Sequence, residues 1–156
     1  MPLAKTGSYK IPEGIVEIPE GAFANSRLSR ITVPASVTKI ASEAFANCTS
    51  LSSITFQTAA GEKALVISPR AFLNCTSLEK ITLPKRLSSV SLTKYSVTDS
   101  VVTLDNASNS FLGCSSLQSI NIASGNDTYK SVDGVLYSKD GKTLIAVLKA
   151  KELLGK

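Results

Sequence analysis

Ala71-Phe72-Leu73-Asn74-Cys75-Thr76-Ser77-Leu78-Glu79-Lys80-Ile81-Thr82-Leu83-Pro84 decides the fold, because the same phrase recurs at three other places. Ala44-Phe45-Ala46-Asn47-Cys48-Thr49-Ser50-Leu51 leads to Ile54 and Phe56, and Ser110-Phe111-Leu112-Gly113-Cys114-Ser115-Ser116-Leu117 leads to Ile120 and Ile122. Ala22-Phe23-Ala24-Asn25 leads, one residue shorter, to Leu28, Ile31 and Val33. The aligned leucines 28, 51, 78 and 117 are 23, 27 and 39 residues apart, so the unit is about 23 residues with two insertions. A period of that length is the mark of a solenoid built from leucine-rich units. Upstream of each Phe a second apolar segment returns: Ile15 and Ile18, Val37 and Ile40, then Ile67.

Each unit has a physical reading. Ile81 and Leu83 alternate with polar neighbours, as in a short strand with one face buried. Pro34 and Pro84 follow their strands, where a missing N–H ends the ladder. The stretch Glu43-Ala44-Phe45-Ala46 is too short for an independent helix and is expected to be a helical or 3₁₀ turn that inserts Phe45 into the core. No unit buries its apolar face alone, so stability comes from stacking and the end units act as caps. Two units depart from the pattern: Ser26 stands where the others have Cys, and Gly113 stands for Asn. Between residues 91 and 107 lies an insertion of about 16 residues, in which Tyr95, Val97, Val101, Val102 and Leu104, with Val90 and Leu92, suit an extra hairpin. The Asp140-Gly141 step between apolar segments is a hairpin signal, read as part of a C-terminal cap over 129–148.

The pattern A-F-x-N-C-x-S-L-x-x-I-x-hydrophobic-Pro resembles the BspA-like leucine-rich repeat, as does the phrase from Tyr129 to Ile145. The resemblance covers most of residues 11–148. The expected fold is a β-rich, right-handed α/β leucine-rich-repeat solenoid (horseshoe) with short helical or 3₁₀ turns. One domain spans 1–156, with repeats near 11–34, 35–57, 65–84 and 108–123. The resemblance implies a non-catalytic interaction or adhesion module, at a bacterial surface or secreted, whose partner is a protein of the host extracellular-matrix or plasma class. The alternative is a spacer of a longer surface protein that binds elsewhere.

Composition narrows the chemistry. There is no His, which removes Ser-His-Asp and Cys-His catalysis and the histidine metalloprotease sites. Cys48, Cys75 and Cys114 share one repeat position, without CxxC spacing, and read as a column of stacked reduced thiols. No phosphate-binding glycine loop occurs, and Asp99, Asp105, Asn106 and Asn109 lack calcium-loop spacing. The expectation is therefore no enzyme, cofactor or metal. A net charge of +5 from 17 basic and 12 acidic residues is scattered, apart from short groups such as Lys85 and Arg86. Nucleic-acid binding normally needs such charge gathered in a patch, so none is expected. No apolar run reaches the roughly 18–20 residues of a bilayer span, and the start Met1-Pro2-Leu3-Ala4 shows no apolar leader. The chain reads as cytoplasmic, or as the mature part of an exported protein; the resemblance favours the second. Sequons occur at Asn47, Asn74, Asn106 and Asn126; the first two fall inside the repeat phrase, where the Asn side chain is expected to bond backbone, and glycosylation is not expected.

The candidate partner face follows from alternation. If Ile31 and Val33 point inward, Arg30 and Thr32 point outward, with Ser53 and Thr55, Lys80 and Thr82, and Ser119 and Asn121 on the neighbouring units. That wall is small, polar and mildly basic, without the aromatic anchors that dominate tight interfaces. Tyr95, in the insertion, is the other candidate contact.

Overall fold

The computed structural model describes residues 6–92, 94–98, 101–105, 109–142 and 144–146; for 94–98, 101–105 and 144–146 only the course of the backbone is described. The Leu-x-x-Ile-x-hydrophobic phrases form β3 (Arg27–Val33), β5 (Ser53–Phe56), β7 (Lys80–Leu83) and β11 (Ser119–Ile122), with β1 (Thr6–Lys10) ahead of them. The upstream apolar segments form β2 (Glu17–Ile18), β4 (Lys39–Ile40), β6 (Leu65–Ile67) and β8 (Leu87–Val90). The second set pairs in parallel throughout, β2-β4-β6-β8, and the first in two parallel groups, β1-β3-β5 and β7-β11, so the chain winds as a β-solenoid of about four turns.

Register puts like on like. Ile31 lies opposite Ile54 and Val33 opposite Phe56; Ile81 lies opposite Ile120 and Leu83 opposite Ile122. In the second sheet Ile18, Ile40, Ile67 and Val90 form one inward column. A third column, Leu28, Leu51, Leu78 and Leu117, is buried between the sheets. A one-residue slip would turn every one of these side chains to solvent, so the burial pattern itself sets the register.

The third side of each turn corrects an expectation. Among the described residues there is no helix, neither α nor 3₁₀, and the architecture there is all β. The backbone N–H groups of the Phe segments explain why. Alternate donors leave the segment for the next rung: Phe23 to Ala44 O, Phe45 to Ala71 O, Phe72 to Ser110 O, and likewise Asn25 to Ala46 O, Asn47 to Leu73 O and Asn74 to Leu112 O. The donors between them close local turns, as Ala44 to Ala41 O and Ala46 to Glu43 O. A helix would keep every donor at home, whereas stacking satisfies half of them across rungs and still delivers the ring to the core.

The rings form one ladder. Phe23, Phe45, Phe72 and Phe111 stack at centroid separations of 5.1, 5.1 and 5.2 Å with planes within 6°. Tyr9 closes the N-terminal end, tilted 53° to Phe23 at 5.9 Å. The spacing is close to the roughly 4.8 Å step between paired strands, so the rings follow the rungs.

The first three Phe turns are bracketed by left-handed residues, and the fourth has one after its ring. Two positions after the ring, Asn25, Asn47 and Asn74 have φ of 65°, 59° and 57°, and Gly113 has 78°. Gly113 is thus no break in the pattern: both residue types tolerate this conformation. Two positions before the ring, Gly21 has φ 71° while Glu43 and Arg70 hold 58° and 59°. Glu43 is exposed, and glycine meets no steric penalty at such an angle. Glu43→Gly is expected to stabilise the domain by about 0.5–1 kcal/mol in urea denaturation, the relieved strain exceeding the added chain entropy; a lower midpoint would show that the side chain carries a compensating contact.

After β8 the backbone forms an antiparallel pair, β9 (Lys94–Thr98) with β10 (Val101–Asp105). At the other end β12 (Tyr129–Val132), β13 (Val135–Ser138) and β14 (Leu144–Ala146) make an antiparallel sheet, with Leu136 fully buried against the solenoid. The tight turn between β12 and β13 is Asp133-Gly134, with φ of 53° and 79°, both central residues left-handed as a two-residue hairpin turn requires. Asp140-Gly141 lies on the following connection, between β13 and β14. Residues 143, 147 and 148 of the expected cap, and 93, 99, 100 and 106–108 around the insertion, lie outside the described residues.

Candidate partner-binding face

Alternation along the Ile-x-hydrophobic strands places Arg30 and Thr32, Ser53 and Thr55, Lys80 and Thr82, and Ser119 and Asn121 on the face opposite the core, since Ile31, Val33, Ile54, Ile81, Leu83 and Ile120 are buried. Pairing aligns them in two columns. One runs Ser8, Arg30, Ser53, then Lys80, Ser119; the other runs Lys10, Thr32, Thr55, then Thr82, Asn121. Lys10, Arg30 and Lys80 are cations, and no position of either column is acidic. The C-terminal cap narrows one end: a Cβ added to Gly134 would lie 2.8 Å from Ser119 Cβ. Tyr95 sits in β9 opposite Leu104, but its side chain lies outside the described residues.

The wall is also divided. β1, β3 and β5 form one sheet and β7 with β11 another, and among the described residues no backbone hydrogen bond joins β5 to β7. Between them lies an open cleft of about 580 Å³ lined by Ser53, Thr55, Phe56, Lys80, Thr82 and Asn121, among others. Five of the eight wall positions read from the sequence therefore meet at one cleft.

Residues with structural duties sit elsewhere, several of them unforeseen. Each thiol of the cysteine column donates to the Phe carbonyl of the previous rung: Cys48 to Phe23 O (3.1 Å), Cys75 to Phe45 O (3.2 Å) and Cys114 to Phe72 O (3.1 Å). All three are free. The neighbouring Cys114 and Cys48 thiols, together with burial, push Cys75 well above the ordinary thiol range, so it stays protonated. The two sequon asparagines of the repeat phrase bond each other rather than the backbone, Asn74 Nδ2 donating to Asn47 Oδ1 at 3.0 Å.

Carbonyls in and beside the turns between the two strands of a rung are satisfied by a different residue on each rung. Ser36 Oγ donates to Ile15 O (2.8 Å); Arg86 donates to Val37 O, Pro34 O and Lys63 O; Asn126 Nδ2 donates to Pro84 O, Lys85 O and Leu87 O. Arg86 and Asn126 are 8% and 1% exposed, so one apparent surface cation and one sequon are internal staples. Burial pulls Arg86 below its ordinary pKa, opposed by the Glu62 charge. Only their buried partners reveal these roles, since an isolated Arg or Asn carries no periodic mark.

A model of the BspA-type leucine-rich-repeat region matches residues 4–104 and 62–133 in six copies. The chain belongs to the BspA-type leucine-rich-repeat family. No curated protein sequence matches it. Among solved structures this BspA-type chain is similar to the pneumococcal vaccine antigen PcpA, at 33% identity and a TM-score of 0.64 over 81% of its own length. It spans 27% of the PcpA chain. Further similarity is to a leucine-rich cell-surface protein of Faecalibacterium prausnitzii (24% identity, TM-score 0.42, covering 74% of this chain and 32% of that one). A leucine-rich-repeat protein of Eubacterium ventriosum is also similar (21%, 0.46, 85% and 36%). Among the described residues of the BspA-type domain no helix is long and apolar enough to cross a membrane, and no three metal-ligating side chains gather.

Proposed function

We propose that this BspA-type domain is a non-catalytic protein-binding module, displayed at a bacterial surface or secreted, and that it binds through the two-column strand wall. The observation that carries this reading is the wall itself: in-register polar side chains, three cations and no acid, held by a rigid ladder whose other face is core. Aligned, same-sign side chains on a repeating scaffold form an extended surface that steers and orients an oppositely charged partner. The family and the likeness to a pneumococcal vaccine antigen support an exposed location; the partner class we propose for it is an extracellular-matrix or plasma protein.

The test is a binding screen of the purified domain against extracellular-matrix and plasma proteins, beside the double variant Arg30→Glu/Lys80→Glu and a variant whose 94–105 hairpin is replaced by a Gly-Ser linker. The charge-reversed wall is expected to weaken binding by about 100-fold, roughly tenfold for each reversed cation. Binding that survives in the wall variant and disappears in the linker variant would move recognition to the hairpin. A domain that binds none of these proteins would be a spacer.

A further inference from the structure

We propose that the cleft between β5 and β7 receives an acidic side chain of an extended peptide segment, with Lys80 as the counter-charge; this rests on the wall being the binding face. Rungs two and three are tied together at two of their three sides. β4 pairs with β6, and the Phe45 and Asn47 amides reach the Ala71 and Leu73 carbonyls, yet the strands between them do not bond. The loop at 57–64 replaces the Pro turn that follows β3 and β7, and Phe56 occupies the position held by Val33, Leu83 and Ile122 on the other rungs. Each strand that borders the cleft therefore turns toward it an edge with no strand partner.

Size decides what enters. β5 and β7 still approach within 8 Å, whereas a strand inserted between them would need two steps of about 4.8 Å. An in-plane strand does not fit; a side chain does. Charge decides which kind. The lining offers the Lys80 ammonium, the Ser53, Thr55 and Thr82 hydroxyls and the Asn121 carboxamide, and it contains no acid. These are donors for a carboxylate, and a carboxylate accepts without bringing a hydrogen that needs a partner. The occupant's backbone runs over the wall, where Arg30 and Lys10 favour further acidic residues at alternate positions.

The probe is a short fluorescein-labelled peptide alternating Glu and Val, compared with its Gln-for-Glu counterpart and with heparin. The expected result is saturable binding of the Glu peptide that is weakened about tenfold by Lys80→Gln and less than about twofold by Arg30→Gln. The Gln peptide is expected to bind at least about tenfold more weakly. Amide shifts in the NMR spectrum should centre on residues 53–56 and 80–83. Equal losses for Lys80→Gln and Arg30→Gln would replace the cleft with diffuse attraction. Equal binding of the Gln peptide, or Lys80-dependent binding of heparin alone, would overturn the acidic-peptide class. If the Glu peptide fails while a protein partner is still lost in Arg30→Glu/Lys80→Glu, the wall reading stands and the cleft reading falls. If the protein partner is retained by that double variant, the wall reading falls as well.

Discussion

Phe72→Ala is expected to destabilise the domain by about 3–5 kcal/mol in urea denaturation. The ring is fully buried, with Phe45 at 5.1 Å on one side and Phe111 at 5.2 Å on the other. Removing it forfeits the burial of a large side chain, about 1.5–3 kcal/mol, and two stacking contacts of about 0.5–1.5 kcal/mol each. The backbone on either side cannot close the gap, because the Phe72 and Asn74 amides are committed to Ser110 O and Leu112 O. Phe45→Ala should match it. Phe23→Ala should cost less, since that ring is only half-buried and has Tyr9, tilted, on its outer side. A loss under about 1 kcal/mol at Phe72, or an equal loss at Phe23, would mean that the ladder does not hold the rungs together.

Asn126→Ala is expected to cost about 3–4 kcal/mol, far more than truncating a typical sequon asparagine. Its Nδ2 serves the carbonyls of Pro84, Lys85 and Leu87, and its Oδ1 accepts from the Thr128 and Tyr129 amides at 2.7 and 2.8 Å. Truncation removes this partner from the Lys85 and Leu87 carbonyls and the Thr128 and Tyr129 amides, while Pro84 O keeps the Leu87 amide, and orphaned buried groups cost more than the bonds are worth on average. Asn126→Asp separates the two halves of the role: it keeps both amide donors satisfied but sets a carboxylate oxygen against carbonyls, so it should rescue little. Full rescue by Asp would show that the Pro-turn carbonyls do not depend on this residue. The same geometry leaves no room for a glycan on Asn126, whose amide nitrogen is buried and fully engaged.

The apolar columns were legible because periodicity reports them. Leu28, Leu51, Leu78 and Leu117 recur at one place in the unit, and Ile81 and Leu83 alternate with Lys80 and Thr82, so the core and the opposite face follow from spacing two and from repetition. The helical turn expected at Glu43–Ala46 was not found, because local sequence cannot show that half its amides are drawn to the next rung. The left-handed asparagines had a visible trace in the Gly113 replacement, which makes sense once φ is known.

What the sequence determined by itself is the solenoid, its phenylalanine ladder and the polar character of one strand face, since these are properties of a repeated unit and survive in any stack of such units. Tertiary structure decided the rest: that rungs two and three separate between β5 and β7, that Arg86 and Asn126 turn inward as staples, and that the cap leans over Ser119. Each of these depends on how one particular rung meets the next, and an interface between non-identical rungs is written in no single repeat.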